Sequence, residues 1–347
     1  MTKYHVTHTS PDLDALLSSW LLLKFEYGLN SWDGMTNHLK FVNTGNPDPA
    51  IVYDAHSISD TGKEYDPDDL AFDHHQFDGS AASETSATEQ VFEYLLPFHN
   101  VDNLEFLLEI VTLGDAGKAP KESYEYGIHA LLSAFKAEMI DCEGRRATDY
   151  EVAEFMFKEF GTLFALCESK SSELPKLLDY RDDLRYKAII ARHIERRKQI
   201  ADELADIVQW KSEDGKVWAL LNGSVAHSMV AYEQGAILTV FKDEVGIPLE
   251  DGRRTYPVGI SRNSEATNAN VGQLVDGIFQ GYRLAGNSSW DVIVEEIGNR
   301  GDDGAWYRHN AGFFAGSGTP KAPVPRNNPP VFDLVELAKL VDREWER

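Results

Sequence analysis

The chain has 347 residues, 42% of them hydrophobic and 26% charged, with a formal charge of -24. That length exceeds one ordinary hydrophobic core and predicts two domains, while the acidity weighs against extended, sequence-independent nucleic-acid binding, whose affinity comes from basic surface. No apolar run approaches the roughly 20 residues of a membrane span, because the longest candidate, Leu16 to Phe25, is broken by Ser18, Ser19 and Lys24.

The first residues lack a basic, apolar, cleavable pattern. Cys142 and Cys167 stand alone, without metal-ligand or redox spacing. Both features predict a cytoplasmic protein without a disulfide framework.

Tyr4 to His8 reads as a first strand and Asp12 to Tyr27 as a helix, with apolar residues at 13, 16, 17, 20, 21 and 23. His8, Asp12 and Asp14 thus fall where a strand passes into a helix, at the carboxyl edge of a parallel sheet. Leu39 to Asn43 and Ala50 to Asp54 are the next strand candidates, so Asp54 closes an apolar strand, a natural place for a metal ligand. Phe72-Asp73-His74-His75-Gln76-Phe77 then sets a carboxylate and two imidazoles between aromatics. Neighbouring residues of an extended segment point to opposite sides, so one histidine can ligate while the other faces substrate. Ser83 to Leu96 reads as a helix, and the apolar run Ile110 to Gly114 delivers Asp115, with Lys118 just beyond. Mixed carboxylate and imidazole ligands suit manganese, iron or zinc and do not suit a soft copper site.

The order His8-x3-Asp12-x-Asp14, Asp54, Asp73-His74-His75, Asp115 resembles the four motifs of the DHH phosphoesterase superfamily, which includes RecJ-type exonucleases, oligonucleotide and cyclic-dinucleotide phosphodiesterases and manganese pyrophosphatases. The resemblance implies an N-terminal parallel α/β domain holding two divalent cations, usually manganese, with magnesium, iron or zinc as alternatives. One ion would be held by His8, Asp12 and Asp54, the other by Asp14, Asp54, His74 and Asp115, with Asp54 bridging. His75 would face the phosphate, Asp73 would orient a ring, and Lys118 would contact substrate.

Helical spacing continues from Ser123 to about Arg181, a helical extension of the first domain. Arg181 to Val208 contains strong helix formers and neither Gly nor Pro, and reads as a connecting helix. Beyond Gly215 short strands are predicted at Val217 to Leu221, Ala236 to Phe241 and Tyr256 to Ile260. Helices are expected near Ala226 to Glu233 and Val271 to Phe279. Ser261-Arg262 at the third strand's end, with His309-Asn310-Ala311-Gly312-Phe313 downstream, resembles the DHH-associated substrate domain. That likeness implies Arg262 and His309 as anion contacts. The glycine run that usually precedes this histidine is replaced by Trp306, Tyr307 and Arg308. The His-x-Ala-Gly-Phe form is most similar to the melanocyte-proliferating-gene branch, whose activity is that of an RNA exonuclease. Pro320 to Pro330 reads as an extended strap, and Val331 to Trp345 as an amphipathic helix with no docking partner specified by sequence.

The domain organisation expected is therefore residues 1–180 for a dimetal phosphoesterase domain, 181–208 for a connecting helix, 209–319 for a smaller α/β substrate domain and 320–347 for a strap and terminal helix. The implied activity is phosphodiester hydrolysis in nucleotides or short oligonucleotides, with His75, Asp73 and Arg262 as catalytic residues and His75, Lys118, Arg262 and His309 contacting substrate. The alternatives are hydrolysis of pyrophosphate or polyphosphate by the same ions, or a nucleotide sensor that retains the metal site without efficient chemistry. The expected partner is a phosphorylated small molecule or short nucleic acid, with no membrane and with scope for a homodimer.

Overall fold

The computed structural model describes residues 3–42, 49–61, 66–73, 85–101, 104–116, 118–119, 123–124, 127–143, 145–169, 184–243, 247–248, 254–255, 258–263, 266–267, 270–271, 273–275, 277–278, 307–308, 314–317 and 334–345. The chain divides into two compact units, Met1–Ile194 and Glu195–Arg347, and the division falls within one helix, α8 (Leu184–Ile207).

In the first unit, β1 (His5–His8) is buried along its whole length and lies between β2 (Leu39–Val42) and β3 (Ser57–Ser59). With β4 (Ala71–Phe72) they form a sheet of order β2-β1-β3-β4 in which every pairing is parallel. Parallel strands need crossovers, and a shared direction brings all four carboxyl ends to one edge. The crossover after β1 is α1 (Leu13–Leu21), buried on all sides, and it continues as a π-helical stretch over Leu22–Glu26, of which Leu22 and Leu23 are buried. Leu16, Leu17, Trp20 and Leu21 anchor a core shared with α4 (Ala87–Leu95), α5 (Glu105–Asp115), α6 (Ile128–Glu143) and α7 (Asp149–Ser169). Trp20 meets Phe160 and Phe164 at 5.9 and 6.0 Å between ring centres.

Two features correct the sequence expectation. The apolar run Ala50 to Tyr53 is not a strand but part of a short helix, α3 (Pro49–Tyr53), following α2 (Trp32–Thr36) in chain order. Proline at the first helical position has its φ preset and lacks only an N–H that would have no intrahelical partner. Ile51 and Val52 then pack on Val6, Val42 and Ile58, while Tyr53 is exposed. The strand is instead the polar Ser57–Ser59. Burying its hydroxyls is tolerable because His5, itself fully buried, lies 2.9 Å from Ser57 Oγ through Nδ1 and 3.2 Å from Ser59 Oγ through Nε2. Ser19 Oγ lies 2.9 Å from the same Nε2, and Ser18 donates to Ser59 at 2.9 Å, so α1 is pinned to β3 through polar contacts.

The second unit holds a mixed sheet of order β11-β12-β10-β7-β6-β5, in which only β6–β7 are parallel. Its strands are β5 (Val208–Lys211), β6 (Val217–Leu221), β7 (Leu238–Lys242), β10 (Val258–Arg262), β11 (Tyr307–Arg308) and β12 (Phe314–Ser317); β8 (Ile247–Pro248) and β9 (Arg254–Thr255) make a separate hairpin. Alternation along β6 sends Val217 and Ala219 to one face and Trp218 and Leu220 to the other. The first face is covered by α10 (Leu334–Trp345) through Leu337, Ala338 and Val341. The second is covered by Ile200 and Leu204 of α8 and by Val230 and Ala231 of α9 (Val225–Glu233). The terminal helix therefore closes the core of its own unit. Among the described residues no helix is long and apolar enough to cross a membrane.

Candidate metal centre

Three chain segments meet at the carboxyl edge of the parallel sheet. His8 is the last residue of β1, Asp12 caps α1, and Asp60 follows β3 directly. The His8 ring is 1% exposed. Its Nδ1 donates to the Thr9 carbonyl at 2.7 Å, which turns Nε2 towards two carboxylates: Asp60 Oδ2 at 2.9 Å and Asp12 Oδ2 at 3.6 Å. Asp12 uses its other oxygen, Oδ1, to accept from the Ala15 amide at 3.1 Å. One aspartate thus starts the helix and faces the site, and the cap fixes its side-chain direction.

Asp60 sits in the left-handed region, at φ 52°, a conformation that Asp tolerates better than most residues. It is held there from β4. The Asp60 amide donates to the Phe72 carbonyl at 3.0 Å, and the next amide, Thr61, donates to Asp73 Oδ2 at 2.6 Å. Asp73 is 1% exposed, and its own carbonyl accepts from Gln90 Nε2 on α4 at 3.0 Å. The first residue of the Asp73-His74-His75 motif therefore clips the backbone that presents Asp60.

Sequence reasoning placed Asp54, not Asp60, in this role. Asp54 follows the short helix α3 and is exposed, and it is absent from the carboxylate group around His8. The signal that could have marked Asp60 is a carboxylate directly after Ser-Ile-Ser, a strand disguised by its polar residues. Asp14 is 2% exposed, and its two oxygens accept from the Thr88 and Ala87 amides at 2.8 and 2.9 Å, the first amides of α4. A carboxylate at a helix N-terminus satisfies orphan donors and the positive end of the helix dipole. Asp115 is the last residue of α5, and Lys118 is exposed, with its amide donating to the Leu113 carbonyl at 2.6 Å. His74, His75 and His309 lie outside the described residues.

A histidine that sequence reasoning passed over lies close by. His129, in the first turn of α6, has Nδ1 2.8 Å from Ser123 Oγ and its ring 4.7 Å from that of Tyr124. Burial holds its pKa down to about 4, opposed by the Asp12 carboxylate. Tyr124 is pushed up to about 12 by burial and by Asp115.

In the second unit, Arg262 ends β10 and is 8% exposed. Its Nη1 donates to the Thr267 carbonyl, and burial lowers its pKa. Beside it runs a buried hydroxyl chain: Tyr232 Oη lies 2.5 Å from Ser261 Oγ and 3.1 Å from Thr239 Oγ1, which donates to Ser228 Oγ at 2.7 Å. Burial pushes the Tyr232 phenol up.

The residues at the sheet edge fit a divalent cation. One imidazole nitrogen and two carboxylate oxygens, from His8, Asp12 and Asp60, all lie within 4.8 Å of one another, the only such group among the described residues. Two carboxylates converging on one point repel, and a cation between them reverses that cost. The donor set is the mixed oxygen and imidazole type used by manganese, iron and zinc.

No protein-family model matches the sequence, and no curated protein matches it. Among solved structures the chain is similar to the pGpG-specific phosphodiesterase PggH of Vibrio cholerae, at 12% sequence identity and a TM-score of 0.51, over 99% of each chain. At that identity the likeness is one of fold.

Proposed function

We propose that this chain is a divalent-metal-dependent phosphodiesterase of the DHH type, acting on nucleotides or short oligonucleotides. The observation that carries the reading is the His8, Asp12 and Asp60 cluster at the carboxyl edge of a parallel sheet, in a chain whose fold matches a dinucleotide phosphodiesterase from end to end. His8, Asp12 and Asp60 would hold one cation. Asp115 and His74 would serve a second, with Asp60 taking the place that the motif order implies for Asp54. His75, Lys118, Arg262 and His309 are the candidate substrate contacts.

Such cations, when bound, polarise a phosphoryl oxygen and make water a nucleophile at neutral pH. The chain's own residues prepare the ground for that chemistry. His8 keeps its Nε2 directed at the site because Nδ1 is committed to Thr9. Asp73 and β4 lock the turn at Asp60 through two amides, so the carboxylate needs little rearrangement on ion binding. Arg262, anchored at a strand end, offers a guanidinium suited to phosphate oxygens. The acidic chain repels long polyanions and favours a short ligand over a long strand.

The test is a substrate panel with added manganese: pGpG, short RNA and DNA oligomers, cyclic dinucleotides, pyrophosphate and polyphosphate. Hydrolysis of a dinucleotide or short oligomer that is abolished by chelator is the expected result. Turnover of inorganic substrates alone would overturn the nucleotide assignment, and tight nucleotide binding without hydrolysis by any metal would make the protein a sensor.

A further inference from the structure

Helices α6 and α7 carry none of the proposed ligands or substrate contacts, yet they reach the loop that carries Asp12. That loop, Thr9 to Asp12, turns through Ser10, a non-glycine residue in the left-handed region at φ 56°. Two side chains hold it from a sequence distance of more than a hundred residues. Asp149 Oδ1 accepts from the Ser10 amide at 2.9 Å, and Lys136 Nζ donates to the Pro11 carbonyl at 2.7 Å.

Both side chains are themselves fixed. Asp149 is the first residue of α7, which opens with a capping box: Thr148 Oγ1 accepts from the Glu151 amide at 3.2 Å, and Glu151 Oε2 accepts from the Thr148 amide at 2.8 Å. Lys136 lies on α6, packed against α7 through Phe135 and Phe155, whose rings stack at 4.2 Å. Seven residues earlier, about two turns on the same face of α6, His129 presses on Gly114, beside Asp115, and feels the charge of Asp12. One face of α6 therefore touches both carboxylate-bearing segments.

We infer that Lys136 and Asp149 are positioning residues for the metal site: they clamp Ser10 and Pro11 in the conformation that aims Asp12 at His8 and Asp60. The inference rests on the metal reading proposed above and assigns the helical region a part in it. Preorganisation is the physical cause. Asp12 is the most exposed of the three ligands, with its side chain 42% exposed against 1% for His8 and 2% for Asp60. Its direction depends on the loop backbone as well as on its own cap. A charge-assisted contact to the Pro11 carbonyl and a carboxylate on the Ser10 amide restrain the two residues before it. Without them the loop gains conformations in which Asp12 faces solvent, and each lowers the fraction competent to bind.

The experiment is manganese titration of the chelator-stripped full chain by electron paramagnetic resonance, alongside thermal unfolding in chelator. Lys136→Met and Asp149→Ala are each expected to weaken manganese binding by about tenfold, the usual scale for partners behind a ligand. Lys136→Arg, which keeps a cationic donor, and Asp149→Asn, which keeps an acceptor for the Ser10 amide, should bind within about twofold of wild type on the same scale. That rescue separates positioning from bulk stability, because all four variants can be compared at matched folded fraction. Wild-type affinity in folded Lys136→Met and Asp149→Ala, or equal losses in the conservative pair, would overturn the inference while leaving the metal centre standing. Failure of wild type itself to bind manganese would overturn the metal reading and this assignment together.

Discussion

Replacing Asp14 by Ala separates two roles that one buried carboxylate can play. The motif resemblance makes Asp14 a metal ligand, whereas in the structure its two oxygens accept from the Ala87 and Thr88 amides at the start of α4. Truncation leaves two buried donors without acceptors, at about 1–3 kcal/mol each. It also removes a negative charge from a helix N-terminus, worth about 0.3–2 kcal/mol. The total is about 4 kcal/mol, which in a unit of this size shifts Tm by about 10 °C. Urea and thermal unfolding in excess chelator measure this directly, because the chelator removes stabilisation by bound metal. Asp14→Asn keeps one acceptor and should fall between wild type and Ala. An Asp14→Ala protein as stable as wild type in chelator would refute the helix-anchoring role and return Asp14 to ligand duty alone.

Three further outcomes follow from specific contacts. His5 is buried as the neutral ring, with its pKa lowered to about 3 by burial, so the unfolded chain takes up a proton below pH 6.5 that the folded chain refuses. The stability linked to His5 is full above about 6.5 and is lost as pH falls towards 3, up to roughly 5 kcal/mol over that window; chemical denaturation from pH 7 to 4 should show the slope, and His5→Gln should flatten it. Gly114→Ala would place a methyl 2.0 Å from His129 Nε2, an overpacking expected to cost about 1–3 kcal/mol. Adding His129→Ala should relieve most of that cost, and simple additivity in a double-mutant cycle would contradict the contact. Arg262→Ala should raise KM for a nucleotide substrate while manganese affinity stays within about twofold, and loss of manganese in equilibrium titration would misplace the residue.

Elements marked by local composition were legible in the sequence. β1, α1 and α8 fall where strand and helix formers placed them, and the amphipathic α10 shows its buried face at Leu334, Leu337, Ala338 and Val341. What sequence could not supply was the partner of that face, since any apolar surface would serve. The site was half legible. His8 and Asp12 stand together, while the carboxylate beside them is Asp60 and not Asp54, because two local rules pointed the other way. Ala50 to Tyr53 has strand composition and becomes helix behind Pro49, while Ser57–Ser59 has loop composition and becomes a buried strand because His5, Ser18 and Ser19 satisfy its hydroxyls. Such compensation is tertiary, and no local pattern contains it. Lys136 and Asp149 were invisible for the same reason: their partners, Pro11 and Ser10, lie more than a hundred residues away.

In the proposed phosphodiesterase the metal ligands at the sheet edge are Asp60, His8 and Asp12, and Asp54 is not among them. Manganese-dependent phosphodiester hydrolysis by Asp60→Asn, Asp54→Asn and wild type, each stripped and reloaded under identical conditions, checks this assignment. Asp60→Asn is expected to lose activity by about a hundredfold or more, the equivalent of about 2.7 kcal/mol or more of transition-state stabilisation, while Asp54→Asn stays within a factor of about two of wild type. An inactive Asp54→Asn beside an active Asp60→Asn would contradict it.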